Sequence, residues 1–185
     1  MVHWIRRWIY RLYLYHHWIK TMEDGSYWRL SKRLLRPLLL TIRWQIMYMA
    51  IQKIIDGIYI GDVASLMESQ GRKELRIKAL LCCAREINPN LDGIEDYMWM
   101  PLFDCDWISP EHIEDGIGFI KDHKPVLVAC VGGASRSASI ILAYMISEGW
   151  DMNDALSHMQ KIRPVINPHP LMLLSIRRYF KIPPY

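Results

Sequence analysis

The sequence predicts an α/β domain, a mostly parallel central sheet flanked by helices, preceded by a basic, aromatic-rich helical extension. Three observations predict it. Short apolar and β-branched runs alternate with longer helical segments from residue 56 onward, the order of strands returned by crossover helices. Capping residues, prolines and glycines stand where those segments start and stop. A chain of 185 residues, 51% hydrophobic and 23% charged, is long enough to bury one core and too apolar to be disordered.

The elements follow in order. "DGIYIGDVASL" reads as a turn, a strand over Ile58 to Ile60, and a helix with Asp62 as its N-cap. "LRIKALLCCA" is a buried strand, a short apolar run without helical length. "DYMWMPLFDCDW" is a second strand that ends near Pro101 in a loop carrying Asp104 and Asp106. Ser109 caps the next helix and Pro110 takes its first position, with Glu111 and Glu114 favouring its dipole. "PVLVAC" is a central strand; a helix with Ile140, Ile141, Tyr144 and Met145 on its inner face follows and stops at Gly149. A further helix is capped near Asp151 or Asn153 and ends before Pro164, and a last one runs from about Pro170 to Tyr179.

Residues 1–50 are compositionally a different object from residues 51–185, the expected catalytic domain. Residues 1–45 hold nine Lys and Arg against Glu23 and Asp24, and five of the eight tryptophans, Trp4, Trp8, Trp18, Trp28 and Trp44. On a helical wheel Trp4, Ile5, Trp8, Leu12, Tyr15 and Ile19 share one face, with most of the basic residues away from it. Such a helix suits contact with an anionic membrane surface, peripheral rather than spanning, since Arg43, Gln45, Gln52 and Lys53 break the longest apolar stretch. A net charge of +4 is too mild to imply nucleic acid as a partner. The four cysteines form no framework in a chain this size; reduced thiols and a cytoplasmic location are expected.

The chemistry lies in "CVGGASRS", residues 130 to 137. A strand ends, a helix begins, and only small or uncharged side chains lie between Cys130 and Arg136. Successive backbone N–H groups in such a loop form a nest for an oxyanion, with the helix N-terminus behind it. Those N–H groups, the helix dipole and Arg136 all favour a thiolate at Cys130. The planar fork of Arg136 can hold two phosphoryl oxygens, where lysine offers a point charge. An anion cradle, a thiolate and a bidentate clamp together specify phosphoryl transfer to cysteine. The leaving oxygen then needs a proton, which Asp104 or Asp106 could deliver from the upstream loop.

Cys130 to Ser137 resemble the C-x5-R-S signature of cysteine-dependent protein phosphatases, and residues 56 to 180 resemble the atypical dual-specificity phosphatase family. The likeness takes in "LRIKALLCCA", the acid-bearing "PLFD", the signature and the trailing "KIRPVINP"; the first 45 residues are outside it. It implies a protein tyrosine phosphatase-like fold, with Cys130 as nucleophile and Arg136 as phosphate clamp. It implies that the N–H groups of Val131, Gly132, Gly133, Ala134, Ser135 and Arg136 bind the phosphoryl oxygens. Asp104 fits the family's general acid better than Asp106, and Ser137 resembles the hydroxyl that eases departure of the thiolate. The resemblance calls for no metal or other cofactor.

Chain order separates the sequence from low-molecular-weight tyrosine phosphatases, whose loop lies near the N-terminus, and loop length separates it from rhodaneses. Phosphoinositide phosphatases usually carry lysine inside the loop; Val131 to Ser135 are uncharged, so a phosphorylated protein is the expected substrate. Three positions depart from the family. Ala129 stands where histidine usually precedes the cysteine, which weakens support for the ionised thiol and is expected to slow the reaction. His169 replaces a usual asparagine and Ser175 a usual glutamine, both at loop-supporting positions.

The expected activity is hydrolysis of phosphotyrosine and phosphoserine/threonine in proteins through a cysteinyl-phosphate intermediate. The competing expectations are a weakly active or inactive module that binds phosphorylated partners, favoured by Ala129, and a lipid or RNA phosphatase, favoured by the basic extension.

Overall fold

A computed structural model describes residues 51–183. The basic extension over residues 1–50, with its expected membrane contact, lies outside the described residues.

A five-stranded sheet carries the fold. Its strands are β1 (Ile51–Ile55), β2 (Ile58–Gly61), β3 (Ala79–Cys82), β4 (Asp96–Trp99) and β5 (Val126–Ala129), in the spatial order β1-β2-β5-β3-β4. β1 pairs antiparallel with β2, and every other pairing is parallel. β3 and β5 are buried at every position, which is why they read as unbroken apolar runs rather than alternating ones. β1 lies upstream of the strands that the sequence predicts. It is an edge strand with a register irregularity between Lys53 and Ile55, and polar residues at 52 and 53 hide its apolar set.

Six helices flank the sheet among the described residues: α1 (Val63–Met67), α2 (Gln70–Glu74), α3 (Pro110–Asp122), α4 (Arg136–Ser147), α5 (Met152–Ile162) and α6 (Pro170–Tyr179). The expected caps are present. Asp62 accepts from Ala64 N, Ser109 from His112 N, and Asp151 from Asn153 N and Asp154 N. α1 and α2 are too short to hold themselves. The buried Arg72 guanidinium fastens them by donating to the carbonyls of Ser65, Leu66, Glu68 and Asn90. α4 is the central helix, buried at every residue from Arg136 to Met145 and packed on β5 and β2 and against α3, α5 and α6.

Parallel strands deliver their following loops to one edge of a sheet, where α/β proteins bind ligands. Here Gly61, Ala129, Cys82 and Trp99 stand in register across β2, β5, β3 and β4. The segments that follow them bring Asp62, Cys130, Glu86 and Asp104 to that edge. No described helix is long and apolar enough to cross a membrane.

Candidate active site

The loop from Cys130 to Ser135 is built by its carbonyls. Val131 O accepts from Val63 N at 3.0 Å, Ala134 O from Asn167 N at 2.9 Å, and Ser135 O from Ser139 N at 2.8 Å. Gly132 O and Gly133 O accept from the Arg163 guanidinium at 3.5 and 2.9 Å. Five consecutive carbonyls therefore face donors in the body of the domain. In a planar trans peptide the next residue's N–H points the opposite way, so the N–H groups of Gly132 to Arg136 turn toward the interior of the loop. None of the N–H groups from Val131 to Arg136 donates to another described residue.

Gly133 makes the turn possible. Its φ is +57°, and a Cβ there would lie 2.6 Å from Gly61 O and 2.8 Å from an Arg163 nitrogen. Ser135, which caps α4, offers no side-chain acceptor to the first turn of the helix. Its hydroxyl accepts instead from His169 N at 3.1 Å. The helix N-terminus is thereby left with unsatisfied donors, the condition for anion binding.

Cys130 lies at the floor of this nest, 2% exposed, with its Sγ 3.2 Å from Ser137 Oγ. Burial pushes the neighbouring Cys82 and Cys83 thiols up, so these two are inert by comparison with an ionised cysteine.

Arg136 is 3% exposed, and its guanidinium is held by the end. Nη1 and Nη2 donate to the two Glu86 oxygens at 2.8 and 2.7 Å, and Nη1 also donates to Leu102 O at 3.2 Å. A guanidinium has five N–H groups. The end-on pairing leaves the side edge, Nε and the outer hydrogen of Nη2, as a second planar fork for a phosphoryl group. Burial opposes the charge on Arg136, but hydrogen bonds to Glu86 and the charges of Cys130, Glu86 and Asp104 hold its pKa above the usual value. Those same hydrogen bonds hold the Glu86 carboxyl below the usual range.

Asp104 and Asp106 both lie on the exposed loop after β4. Asp104 is two residues beyond Leu102, whose carbonyl Arg136 holds, and its charge acts on Arg136. Asp106 Oδ1 accepts from Trp107 N at 2.7 Å. Farther along, Ile108 N donates to Ser175 Oγ at 3.0 Å, so Ser175 supports the acid-bearing loop. His169 caps α6 with its ring and reaches Ser135 of the cysteine loop through its backbone N–H. Ala129 is fully buried, paired between Gly61 and Cys82.

Three contributors are unmarked by the signature. Arg163 ties the loop carbonyls to Asp62 Oδ2 at 3.2 Å and to Gln52 Oε1 at 2.9 Å. Burial pushes the Asp62 carboxyl up, against the pull of Arg163. Glu86 positions Arg136. The sequence signal for Asp62 and Glu86 is a charged residue past an apolar strand, at the carboxyl edge of the sheet, whereas Arg163 stands at the C-terminal end of α5. Among the described residues no group of three or more His, Cys, Asp and Glu could hold a metal ion.

Residues 58–182 match the family described as the catalytic domain of dual specificity phosphatases. The chain is 31% identical over 134 residues to protein phosphatase Slingshot homolog 3 of Mus musculus, covering 69% of this chain and 20% of that protein. It is 30% identical over 138 residues to tyrosine-protein phosphatase yvh1 of Schizosaccharomyces pombe, covering 71% of this chain and 42% of that protein. The chain thus spans less than half the length of either relative. Its fold is similar to the crystal structure of the Yvh1 phosphatase domain from Chaetomium thermophilum, with a TM-score of 0.65 at 20% identity, over 72% of this chain and 96% of that one. Outward carbonyls, a cysteine on the floor and an end-held arginine are here joined to a family match over most of the chain, and the protein belongs to the dual specificity phosphatase family of cysteine-based protein tyrosine phosphatases.

Proposed function

We propose that this chain hydrolyses phosphotyrosine and phosphoserine/threonine in proteins through a phosphate ester on Cys130. The observation that carries the reading is the placement of Cys130 Sγ beneath a loop whose five consecutive carbonyls are all bound outward.

The phosphoryl group enters with its equatorial oxygens on the N–H groups of Val131 to Arg136 and on the side edge of Arg136. Cys130 Sγ attacks phosphorus in line, and the bond to the leaving oxygen breaks as Asp104 protonates it. Asp104, now a carboxylate, takes a proton from water as that water attacks the cysteinyl phosphate. The S–P bond breaks, Ser137 Oγ–H stabilises the departing thiolate at 3.2 Å, and inorganic phosphate leaves. Glu86 keeps the Arg136 fork in plane through both steps. No step calls for a metal or cofactor.

A phosphoprotein substrate is supported by the uncharged run from Val131 to Ser135, which offers nothing to the extra phosphates of an inositol lipid. The relatives named above are protein phosphatases by name, which supports the same class. The proposal places the enzyme in the cytoplasm, with residues 1–50 against an anionic membrane surface; liposome flotation of the full chain, weakened by deleting residues 1–45, is the expected result. A second reading, a module that binds phosphorylated partners with little turnover, is favoured by Ala129. Hydrolysis of a small aryl phosphate by the full chain, abolished by Cys130→Ser, is the expected outcome. Absence of turnover in the wild type, with phosphopeptide binding intact, would establish the binding module instead.

A further inference from the structure

Arg85 stands beside Glu86 in the loop after β3, and nothing in the signature gives it a role. Its guanidinium carbon lies 3.9 Å from the centroid of the Phe103 ring. Phe103 is 57% exposed and takes no part in the core, so burial does not fix it. It sits between Leu102, whose carbonyl Arg136 holds, and Asp104. The dipeptide Arg85–Glu86 thus touches both the phosphate clamp and the segment that carries the acid.

That segment has little else to hold it. Among the described residues, Asp104 Oδ1 accepts from its neighbour Cys105 N alone, at 3.2 Å, and Cys105 has a φ of +62°. Asp106 likewise bonds to the adjacent Trp107 N. The far end is anchored by Ile108 N on Ser175 Oγ and by Arg178 over the Trp107 ring at 5.0 Å. Between Leu102 and Trp107, among the described residues, the Arg85–Phe103 stack is the contact that ties the loop to the sheet's carboxyl edge.

We propose that Arg85 is a positioning residue for the general acid, holding Asp104 in register with the Arg136 clamp by stacking its guanidinium on Phe103. The proposal rests on the role given to Asp104 above. A planar guanidinium suits the task because it lies flat on a ring face, and at an exposed site such a contact shifts a local equilibrium by about two- to five-fold.

The test uses two substrates that differ in their need for a proton. Phenyl phosphate has a poor leaving group; difluoromethylumbelliferyl phosphate has one that departs without protonation. In Arg85→Ala, kcat/KM for phenyl phosphate is expected to fall about two- to five-fold, with the activated ester unchanged. Phe103→Leu should reproduce that change in the ratio, and the double variant should add nothing to either single one. An equal fall on both substrates, as a lost charge near Glu86 would produce, overturns the proposal, and so does an additive double variant. Asp104→Ala separates the two readings. If it leaves the ratio unchanged, the role of Asp104 falls; if it changes the ratio and Arg85→Ala does not, only the role of Arg85 falls.

Discussion

Glu86 grips Arg136 by the end of its guanidinium, at 2.7 and 2.8 Å, and leaves the side edge, Nε and the outer hydrogen of Nη2, clear of that pairing. A carboxylate placed there acts on the proposed reaction through geometry, because it has no need to touch substrate. Glu86→Gln keeps the shape and removes the charge. We expect kcat/KM for an aryl phosphate to fall about ten- to a hundred-fold, the scale of hydrogen bonds to charged groups. Inhibition by vanadate should weaken in parallel, since both depend on the Arg136 fork. Unchanged vanadate inhibition in Glu86→Gln would show that Arg136 is held without it.

The same pair predicts a pH dependence of stability. Hydrogen bonds from Arg136 lower the Glu86 carboxyl pKa in the folded chain, whereas an unperturbed glutamate of the unfolded chain titrates at about 4.3. The folded state therefore binds fewer protons in that interval. The stabilisation is fully present above the unfolded value and is lost as pH falls through the folded one. Melting temperatures taken between about pH 6 and pH 3 should drop more steeply for the wild type than for Glu86→Gln. Parallel curves would contradict the coupling.

Asp104 and Asp106 are two residues apart on one exposed loop, and single substitutions distinguish them. Asp104→Ala should slow phenyl phosphate hydrolysis by about a hundred-fold or more, the scale of a lost general acid. Binding of a phosphopeptide should survive. Asp106→Ala should leave turnover as it was; the reverse pattern would transfer the role to Asp106.

Gly133 admits no side chain. Alanine would have to adopt φ +57° and would press its Cβ against Gly61 O and the Arg163 guanidinium. Strain of this kind costs about 1–3 kcal/mol. Gly133→Ala should lower the melting temperature and cut vanadate affinity together, whereas a loop that adapts would lose neither.

The β5–loop–α4 unit was legible because all its parts are contiguous: a buried run, Cys130, small residues, Arg136 and a helix. The loop that carries Asp104 was legible because it follows the strand ending at Trp99, and the helix caps because they act within four residues. What could not be read depends on sheet order. Glu86 meets Arg136 only because β3 lies beside β5, and Arg163 meets Asp62 across 101 positions of sequence. Ser175 stands at a loop-supporting position by resemblance, but which loop it supports is set by the packing of α6. The edge strand β1 carried no clean alternation and had to be seen.

Arg163 also sets where the folding unit begins. Gln52 of β1 accepts from its Nη1 at 2.9 Å and donates to Ile162 O at 3.2 Å, while His158 of α5 bonds Ile54 O at 2.9 Å. The family match starts at residue 58, after this strand has ended. A chain cut to that boundary would keep every residue of the signature yet turn β2 into the edge of the sheet and take one anchor from the arginine that orients the loop carbonyls. Such a chain should melt lower and turn over more slowly than one beginning before Ile51. The segment shared with relatives and the segment that must fold together start at different residues.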